Sequence, residues 1–540
     1  MGTGQAGIRA KQSHEDGRRG KRGSPRPCGL RKCDWDAVPG FRFASFGAIF
    51  ASSFREESRS FSVSSKEGDG FDSNEHSFDC PDPCTDLRFA ALRFDRLKET
   101  IAHTGACLHN QSEERLIRPA RNIRGSLRLP GDKSISHRYA MLGAFAEGTS
   151  RFTNFSTGAD CASTLACMEA LGAKVNRTSD NSVAVTGVSG CVTPAGHPLD
   201  CGNSGSTMRM ISGLLAPQEG SFTLVGDASL SRRPMERIRK PLEEMGARLS
   251  LTDGHAPLTI DGSTLHAIEY ATPVPSAQVK TCVLLAGLQT AGTTTVREAL
   301  RTRDHSELAL RAFGAIVSRT IDWVSISGPQ TLHAIDAAVP GDMSSAAFFL
   351  CAAALFPGSS LVLDSLGLNP TRATLLDVLT ALGARIRVLN LEEKNAELVG
   401  TVQVSAPPEG LGTAEVSGAL AAQLIDELPV LAAIAPYTSG GIRIRDAKEL
   451  RVKESDRIAL VVKNLRAMGA EVEEFEDGLD VPGGQTLHGA TIDSGGDHRI
   501  AMAFAVAALR AEGETLIQGA ESAAISFPEF FDLLDLVAER

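Results

Sequence analysis

One short pattern, apolar–x–x–apolar–Gly–Ala–x–apolar, returns along this chain and limits its fold more than any other feature. It reads MEALGAKV at 168–175, LEEMGARL at 242–249, LRAFGAIV at 310–317, LTALGARI at 379–386 and LRAMGAEV at 465–472, and a degenerate LLDLVAER closes the chain. The spacing is about 70 residues, too long for a solenoid unit and long enough for a small βαβ-type module. In each copy an amphipathic helix is expected to end at the Gly, which takes the left-handed cap conformation, with a strand such as Lys174–Val175 or Ile386–Val388 after it. Short alternating stretches (VAVTGV, SFTLVG, TTTVRE, SLVLDS, GIRIRD, ETLIQGA) lie between the helices and read as strands. The chain beyond about residue 115 is therefore six modules of α/β structure.

Cations and hydroxyls gather where these helices begin. Leu129–Arg138 reads LPGDKSISHR, and Tyr139, Met141, Leu142 and Phe145 follow at helical spacing, which places Ser134 and its neighbours at a helix start behind the permissive backbone of Gly131. Free N–H groups and the helix dipole there favour phosphate or carboxylate. This segment alone reads equally well as a capped helix with a solvated Lys and Arg. Similar clusters occur at Asn203–Arg209 (NSGSTMR), Arg232-Arg233, Ser276–Lys280, Arg303-Asp304-His305, Arg451–Arg457 and Asp497-His498-Arg499. Seven of them at element boundaries point to anion binding.

The cations are local rather than global. A formal net charge of -10, a pI near 5.7 and 5% aromatic residues speak against a nucleic-acid surface, which needs a basic footprint and stacking rings. No apolar run approaches the roughly 20 residues that span a bilayer, and Ala37–Phe54 is interrupted by Arg42. No membrane partner is expected. Cys161, Cys167, Cys191, Cys201, Cys282 and Cys351 sit in mostly apolar or small-residue settings and read as reduced, buried thiols of a cytoplasmic protein.

Residues 1–115 are rich in Arg, Ser, Gly and acidic residues and lack periodicity, so a disordered or weakly ordered N-terminal extension is expected. Cys80, Cys84, His103 and His109 mimic a zinc site with too long a loop, and no metal is expected. The Arg and Ser content suits a transit peptide, but Glu15, Asp16, Asp34 and Asp36 argue against one. An upstream start codon unused in the cell explains the segment equally well.

The motifs PGDKSISHR, GNSGSTMR, RPM, SAQVK, RDHSE, PGDMSSAAFF, NPTR, RVKESDR, DHRIAM and SFPEF follow one another in this order. Carrying them, the stretch from about Leu116 to Arg540 resembles the 5-enolpyruvylshikimate-3-phosphate synthases, or 3-phosphoshikimate 1-carboxyvinyltransferases. GDKS, SAQVK, RDHSE and NPTR resemble the second class of that family, typical of certain bacteria. The resemblance implies the two-domain enolpyruvyl transferase fold, an inside-out α/β barrel of six βαβαββ repeats, three per domain. One domain would hold residues 131–340 and the other 116–130 with 341–540, the second crossing lying near Pro340-Gly341-Asp342.

It also implies the reaction: transfer of the enolpyruvyl group of phosphoenolpyruvate to shikimate 3-phosphate in chorismate biosynthesis. Lys133, Ser134, Arg138, Ser276, Gln278, Arg303, Asp426 and Lys453 would bind shikimate 3-phosphate, and Lys133, Gly205, Arg233, Gln278, Arg457 and Arg499 phosphoenolpyruvate. Asp426, in IDELP, would accept the proton of the attacking 5-hydroxyl, while Glu454 and Lys453 would handle protons at the methylene and the departing phosphate, with Lys133 assisting. A carboxylate base, a proton donor and a cationic clamp suffice for this chemistry, so no cofactor is expected. Asp426-Glu427 read without the resemblance serves equally as a pair of helix N-terminal acids; with it, Asp426 is the base and Glu427 is not.

The resemblance also makes the enzyme a glyphosate target, with glyphosate competing against phosphoenolpyruvate. Tolerant second-class relatives carry Ala where this chain has Gly205. Ile525 stands where many relatives have a lysine before the SFP motif, which removes one phosphoenolpyruvate contact usual in them. A monomer is expected, open when empty because clamps facing one another across a cleft would repel. The sister transferase acting on UDP-N-acetylglucosamine carries a cysteine in the loop that here reads GDASLSRRP, with Ala228 in its place. A non-catalytic descendant would have lost carboxylates or clamps, and Lys133, Arg233, Asp426 and Glu454 are all present.

Overall fold

The computed structural model describes residues 114–540, so the Cys80, Cys84, His103 and His109 constellation lies outside the described residues. Two separate hydrophobic cores form. The first gathers side chains between Ile135 and Val339 around helices α1 (Lys133–Phe145), α2 (Ala159–Ala170), α3 (Gly205–Leu215), α4 (Glu236–Glu244), α5 (Ala277–Gly287) and α6 (His305–Ala312). The second gathers Ile117–Leu129 and Met343–Val537 around α7 (Met343–Ala354), α8 (Thr374–Ala381), α9 (Gly418–Gln423), α10 (Leu428–Ile434), α11 (Arg457–Ala467), α12 (His498–Ala508) and α13 (Phe530–Val537). Every residue of α7 and α12 is buried, because MSSAAFFLCAAA and HRIAMAFAVAA are small or apolar on nearly all sides and each helix is surrounded. Helices inside and sheets outside is the arrangement the family resemblance implies.

The sheets repeat one plan. Leu199–Asp200 runs parallel to Ser221–Val225, which pairs antiparallel with His255–Asp261, itself antiparallel to Arg248–Thr252. With α3 and α4 between the strands this is one βαβαββ unit, and the order first-second-fourth-third recurs in the sheets around Gly292–Arg297, Thr149–Thr153, Ser360–Gly367 and Gly441–Ile444. All six stretches read as strands are strands, and the five repeat glycines, Gly172, Gly246, Gly314, Gly383 and Gly469, take φ of 103°, 99°, 92°, 100° and 88° just past their helices.

Sequence order and sheet order part company at the edges. Asp336–Ala338 supplies the first strand of the sheet built on Thr149–Thr153, and Asn122–Arg128 supplies that of the sheet built on Ser360–Gly367. The chain thus passes between the cores twice, at Pro130-Gly131-Asp132 and Pro340-Gly341-Asp342. The passages are tied together: Asp132 N donates to Pro340 O at 2.8 Å and Asp342 N to Pro130 O at 3.1 Å. Glu114–Ile117 pairs antiparallel with Thr515–Gln518. Glu114 and Arg115 therefore belong to a strand rather than to a weakly ordered extension reaching 115; backbone pairing and an Arg115–Asp535 ion pair at 2.6 Å hold them without apolar periodicity. Cys191 is exposed, unlike the five other cysteines of this region, because it sits in a loop after Gly190.

The helices approach one another closely where glycine allows it. A methyl at Gly213 of α3 would lie 2.0 Å from the Cys282 carbonyl oxygen on α5. Gly213→Ala is expected to destabilise the protein by about 2–3 kcal/mol, since the overlap with backbone outweighs the ~1 kcal/mol helix-propensity gain of Ala over Gly. Denaturant unfolding at or above the wild-type midpoint would show that the two helices separate freely. Among the described residues no helix is long and apolar enough to cross a membrane.

Candidate active site

The two passages between the cores open matching helices. Asp132 caps α1, accepting from Ile135 N, and Asp342 caps α7, accepting from Ser344 N. In the first turn of α1, Lys133 Nζ lies 2.8 Å from Asp160 Oδ2 of α2; burial works to lower the lysine, but the Asp160 charge outweighs it and keeps the ammonium protonated. One turn on, the buried Arg138 donates to Ser306 Oγ at 2.7 Å, Ser134 O at 2.8 Å and Thr281 Oγ1 at 3.0 Å. Ser276 caps α5, and Gln278, in the first turn of that helix, accepts from Arg209 Nη1 at 2.7 Å and donates to Ser206 Oγ at 2.9 Å. Gly205 opens α3, and a methyl there would stand 3.2 Å from Arg209 Nη1 and 3.4 Å from Arg233 Nη1.

The second core contributes the carboxylates and more guanidinium groups. Asp426 precedes α10, Glu454 precedes α11, and Arg457 opens α11. Arg457 Nε donates to Asp497 Oδ2 at 2.8 Å and Nη2 to Glu454 Oε2 at 2.6 Å, while its Nη1 lies 3.6 Å from Asp426. Arg499, in the first turn of α12, donates to the Asp426 carbonyl at 2.8 Å. Glu427 is 1% exposed and tied to Ser344 and Arg372, which fits a structural acid.

The two sides meet. Arg303 Nη2 donates to Asp426 Oδ2 at 2.5 Å, Arg233 Nη1 lies 3.2 Å from Glu454 Oε1, and Arg237 donates to Glu449 at 2.9 Å. The expectation of an open cleft held apart by repulsion overlooked these acids: Arg233, Arg237 and Arg303 of one core each face a carboxylate of the other, so opposite charges meet across the cleft. Burial raises the Asp426 carboxyl, yet Arg499, Arg303, Lys453 and Arg372 hold it well below the ordinary range. Burial likewise raises Glu454, and Arg457, Arg233, His498 and Lys453 overcome it. Lys453, 3.9 Å from Asp426, is lowered, burial outweighing the attraction of its acidic neighbours.

His498 is buried with neither ring nitrogen hydrogen-bonded, and burial with the Lys133 charge pushes it down to about 3. Its folded value lies below the ordinary 6.5, so the stability carried by the neutral ring is complete above about pH 6.5 and is lost as pH falls towards 3. The melting temperature of His498→Asn should fall less than that of the wild type between pH 7 and pH 5; parallel falls would remove this group from the acid response.

A model of the EPSP synthase (3-phosphoshikimate 1-carboxyvinyltransferase) family matches residues 117–534. The chain belongs to the EPSP synthase family. The 3-phosphoshikimate 1-carboxyvinyltransferase of Koribacter versatilis is 65% identical over 424 residues, 78% of this chain and 99% of the relative. The solved EPSP synthase of Acinetobacter baumannii superposes with a TM-score of 0.70 at 38% identity, covering 79% of this chain and 98% of that one. The enolpyruvyl transferase NikO of Streptomyces tendae shares the fold, with a TM-score of 0.63 at 20% identity over 78% of this chain and 96% of its own.

The structure brings Arg233, Arg303, Asp426, Lys453, Glu454, Arg457 and Arg499 into one chain of contacts, while Gln278 and Gly205 adjoin Arg209, Lys133 pairs with Asp160, Arg138 is held by Ser306 and Thr281, and the hydroxyl of Ser276 is spent on its own helix cap. Sequence reasoning missed the partners. Asp160, Arg209, Arg372 and Asp497 each hold a predicted site residue, and three of them stood in motifs already singled out, GNSGSTMR, NPTR and DHRIAM. Among the described residues no cluster of His, Cys, Asp and Glu could hold a metal ion.

Proposed function

We propose that the protein transfers the enolpyruvyl group of phosphoenolpyruvate to the 5-hydroxyl of shikimate 3-phosphate and releases phosphate. The observation that carries this reading is the interleaving of Arg303 and Arg233 from one core with Asp426, Glu454, Arg457 and Arg499 from the other, an arrangement that suits two polyanionic substrates held together. Lys133, Ser134, Arg138, Ser276, Gln278, Arg303, Asp426 and Lys453 bind shikimate 3-phosphate, and Lys133, Gly205, Arg233, Gln278, Arg457 and Arg499 bind phosphoenolpyruvate. The RDHSE and NPTR motifs support placing the chain in the second class of the family.

The ion pairs give the site its timing. A carboxylate held far below its ordinary range is a weak base, and an equally acidic Glu454 is a poor store for a proton. Substrate anions that take over Arg303, Arg233 and Arg457 loosen these acids. Asp426 then accepts the 5-hydroxyl proton, while Glu454, having taken up a proton from solvent once its guanidinium partners are drawn away, delivers it to the methylene carbon of phosphoenolpyruvate. The oxygen bonds to the adjacent carbon, giving a tetrahedral intermediate. Return of a methyl proton to Glu454 and departure of phosphate, with Lys453 and Lys133 stabilising its charge, restore the double bond in the product.

Phosphate release from phosphoenolpyruvate, measured with shikimate 3-phosphate and with UDP-N-acetylglucosamine, tests the reading. Release with the first acceptor and none with the second is expected. The reverse would assign the chain to the sister reaction, and release with neither would leave a binding protein.

A further inference from the structure

Two motifs that the substrate contacts leave partly unused, RDHSE and NPTR, meet each other between the cores. Asn369 Nδ2 donates to Asp304 Oδ1 at 2.8 Å and to Glu397 Oε2 at 2.9 Å, and Glu397 Oε1 faces His305 Nδ1 at 2.7 Å. Asp304 and His305 open α6 beside the first core, while Asn369 and Glu397 stand on the second, Glu397 beginning the strand Glu397–Ser405. All four are at most 5% exposed. Burial would lower the His305 ring, but Glu397 overrides it and raises the ring, favouring the charged pair.

The position of this cluster gives it a task. Arg303, the residue before Asp304, reaches Asp426 at 2.5 Å. At the other end of the NPTR turn, Arg372 Nη1 lies 3.8 Å from the same Asp426 and its Nη2 donates to Ser344 Oγ. One short turn thus holds the side chain of Asp304, next to Arg303, with its first residue, the backbone N–H of Asp304 with Thr371, and the carboxylate facing Arg303 with its last residue. Buried charge between two bodies is a poor source of stability compared with apolar packing, and its clearest use is to fix geometry.

We propose that His305, Asn369 and Glu397 are positioning residues, a buried clasp between the two cores that sets Arg303 against Asp426 and so shapes the shikimate 3-phosphate half of the site. The proposal rests on the functional reading above. None of the three clasp residues belongs to the clamp on phosphoenolpyruvate, so the clasp acts on one substrate only.

The test compares His305→Ala, His305→Gln and Asn369→Ser with the wild type in steady-state kinetics. His305→Ala and Asn369→Ser should raise KM for shikimate 3-phosphate by about 10-fold or more, the loss expected from one charge-assisted hydrogen bond, with KM for phosphoenolpyruvate within about twofold. His305→Gln, which keeps an N–H for Glu397, should recover most of the loss. Both KM values rising together, or a lower melting temperature with neither changed, overturns the proposal. If His305→Ala fails to fold, Glu397→Gln, which keeps the shape and removes the charge, carries the same comparison. If the wild type does not turn over these substrates, the functional reading falls and small-angle scattering decides the clasp. A larger radius of gyration in the folded clasp variant than in the wild type upholds the fastening of the cores, and an equal one overturns it.

Discussion

Asp426→Asn should lower kcat by about 10² or more while KM for shikimate 3-phosphate stays level or falls. The amide keeps the shape of the carboxylate and loses the basic oxygen. The kinetic split follows from the neighbours of Asp426. Arg303, Arg372, Arg457, Arg499 and Lys453 all lie within 4.0 Å of it, so Asn removes an internal competitor for cations that an incoming phosphate must win. A variant with near-normal kcat would take Asp426 out of the mechanism, and one that lost only substrate affinity would make it a binding residue.

Gly205→Ala is expected to raise the inhibition constant of glyphosate by about 10-fold or more and KM for phosphoenolpyruvate by less. The new methyl would stand 3.2 Å from Arg209 Nη1 and 3.4 Å from Arg233 Nη1, tighter than comfortable contact. Arg209 is held by Gln278 and the Pro234 carbonyl and Arg233 by Asn203, so neither guanidinium gives way freely and the crowding falls on whatever anion they grip. Glyphosate is longer than phosphoenolpyruvate and has less room to retreat; overlap of one methyl in a packed site costs about 1–3 kcal/mol, enough for the expected change. Measured against the wild type, equal inhibition constants in the two forms would defeat the argument.

The architecture was largely legible because it is written locally. A helix that ends at Leu-Gly-Ala, Met-Gly-Ala or Phe-Gly-Ala with a strand behind it can be read from eight residues, and five such signals along the chain give the module. Helix starts were legible for the same reason: Asp132, Ser204 and Asp497 cap the turns on which Lys133, Gly205 and Arg499 stand. What the sequence hid was pairing across distance. Arg303 and Asp426 are 123 residues apart, and nothing in either motif names the other. The acids were therefore read as reagents, and their second role, neutralising the opposite clamp, was invisible; the expectation of an open cleft failed on that point. The exchange of edge strands was reached only through the family resemblance, which assigned 116–130 to the second domain; taken by itself, Asp336–Ala338 reads like any short segment after the third module.

Those edge strands set the order in which the molecule can be assembled as it leaves the ribosome. The first core is closed as soon as Asp336–Ala338 emerges, for all its strands and helices precede that point. The second core begins earlier in the chain and finishes last. Its strand Asn122–Arg128 finds its partner only when Ser360–Gly367 has been made, and Glu114–Ile117 only with Thr515–Gln518. At synthesis rates of roughly 5–20 residues per second the latter remains unpaired for some 20–80 s. A bare strand edge is an invitation to the wrong neighbour, and charge is the usual deterrent. Here Glu114, Arg115 and Arg118 provide it, and when synthesis ends Arg115 turns the same charge onto Asp535 and Arg118 onto Glu514.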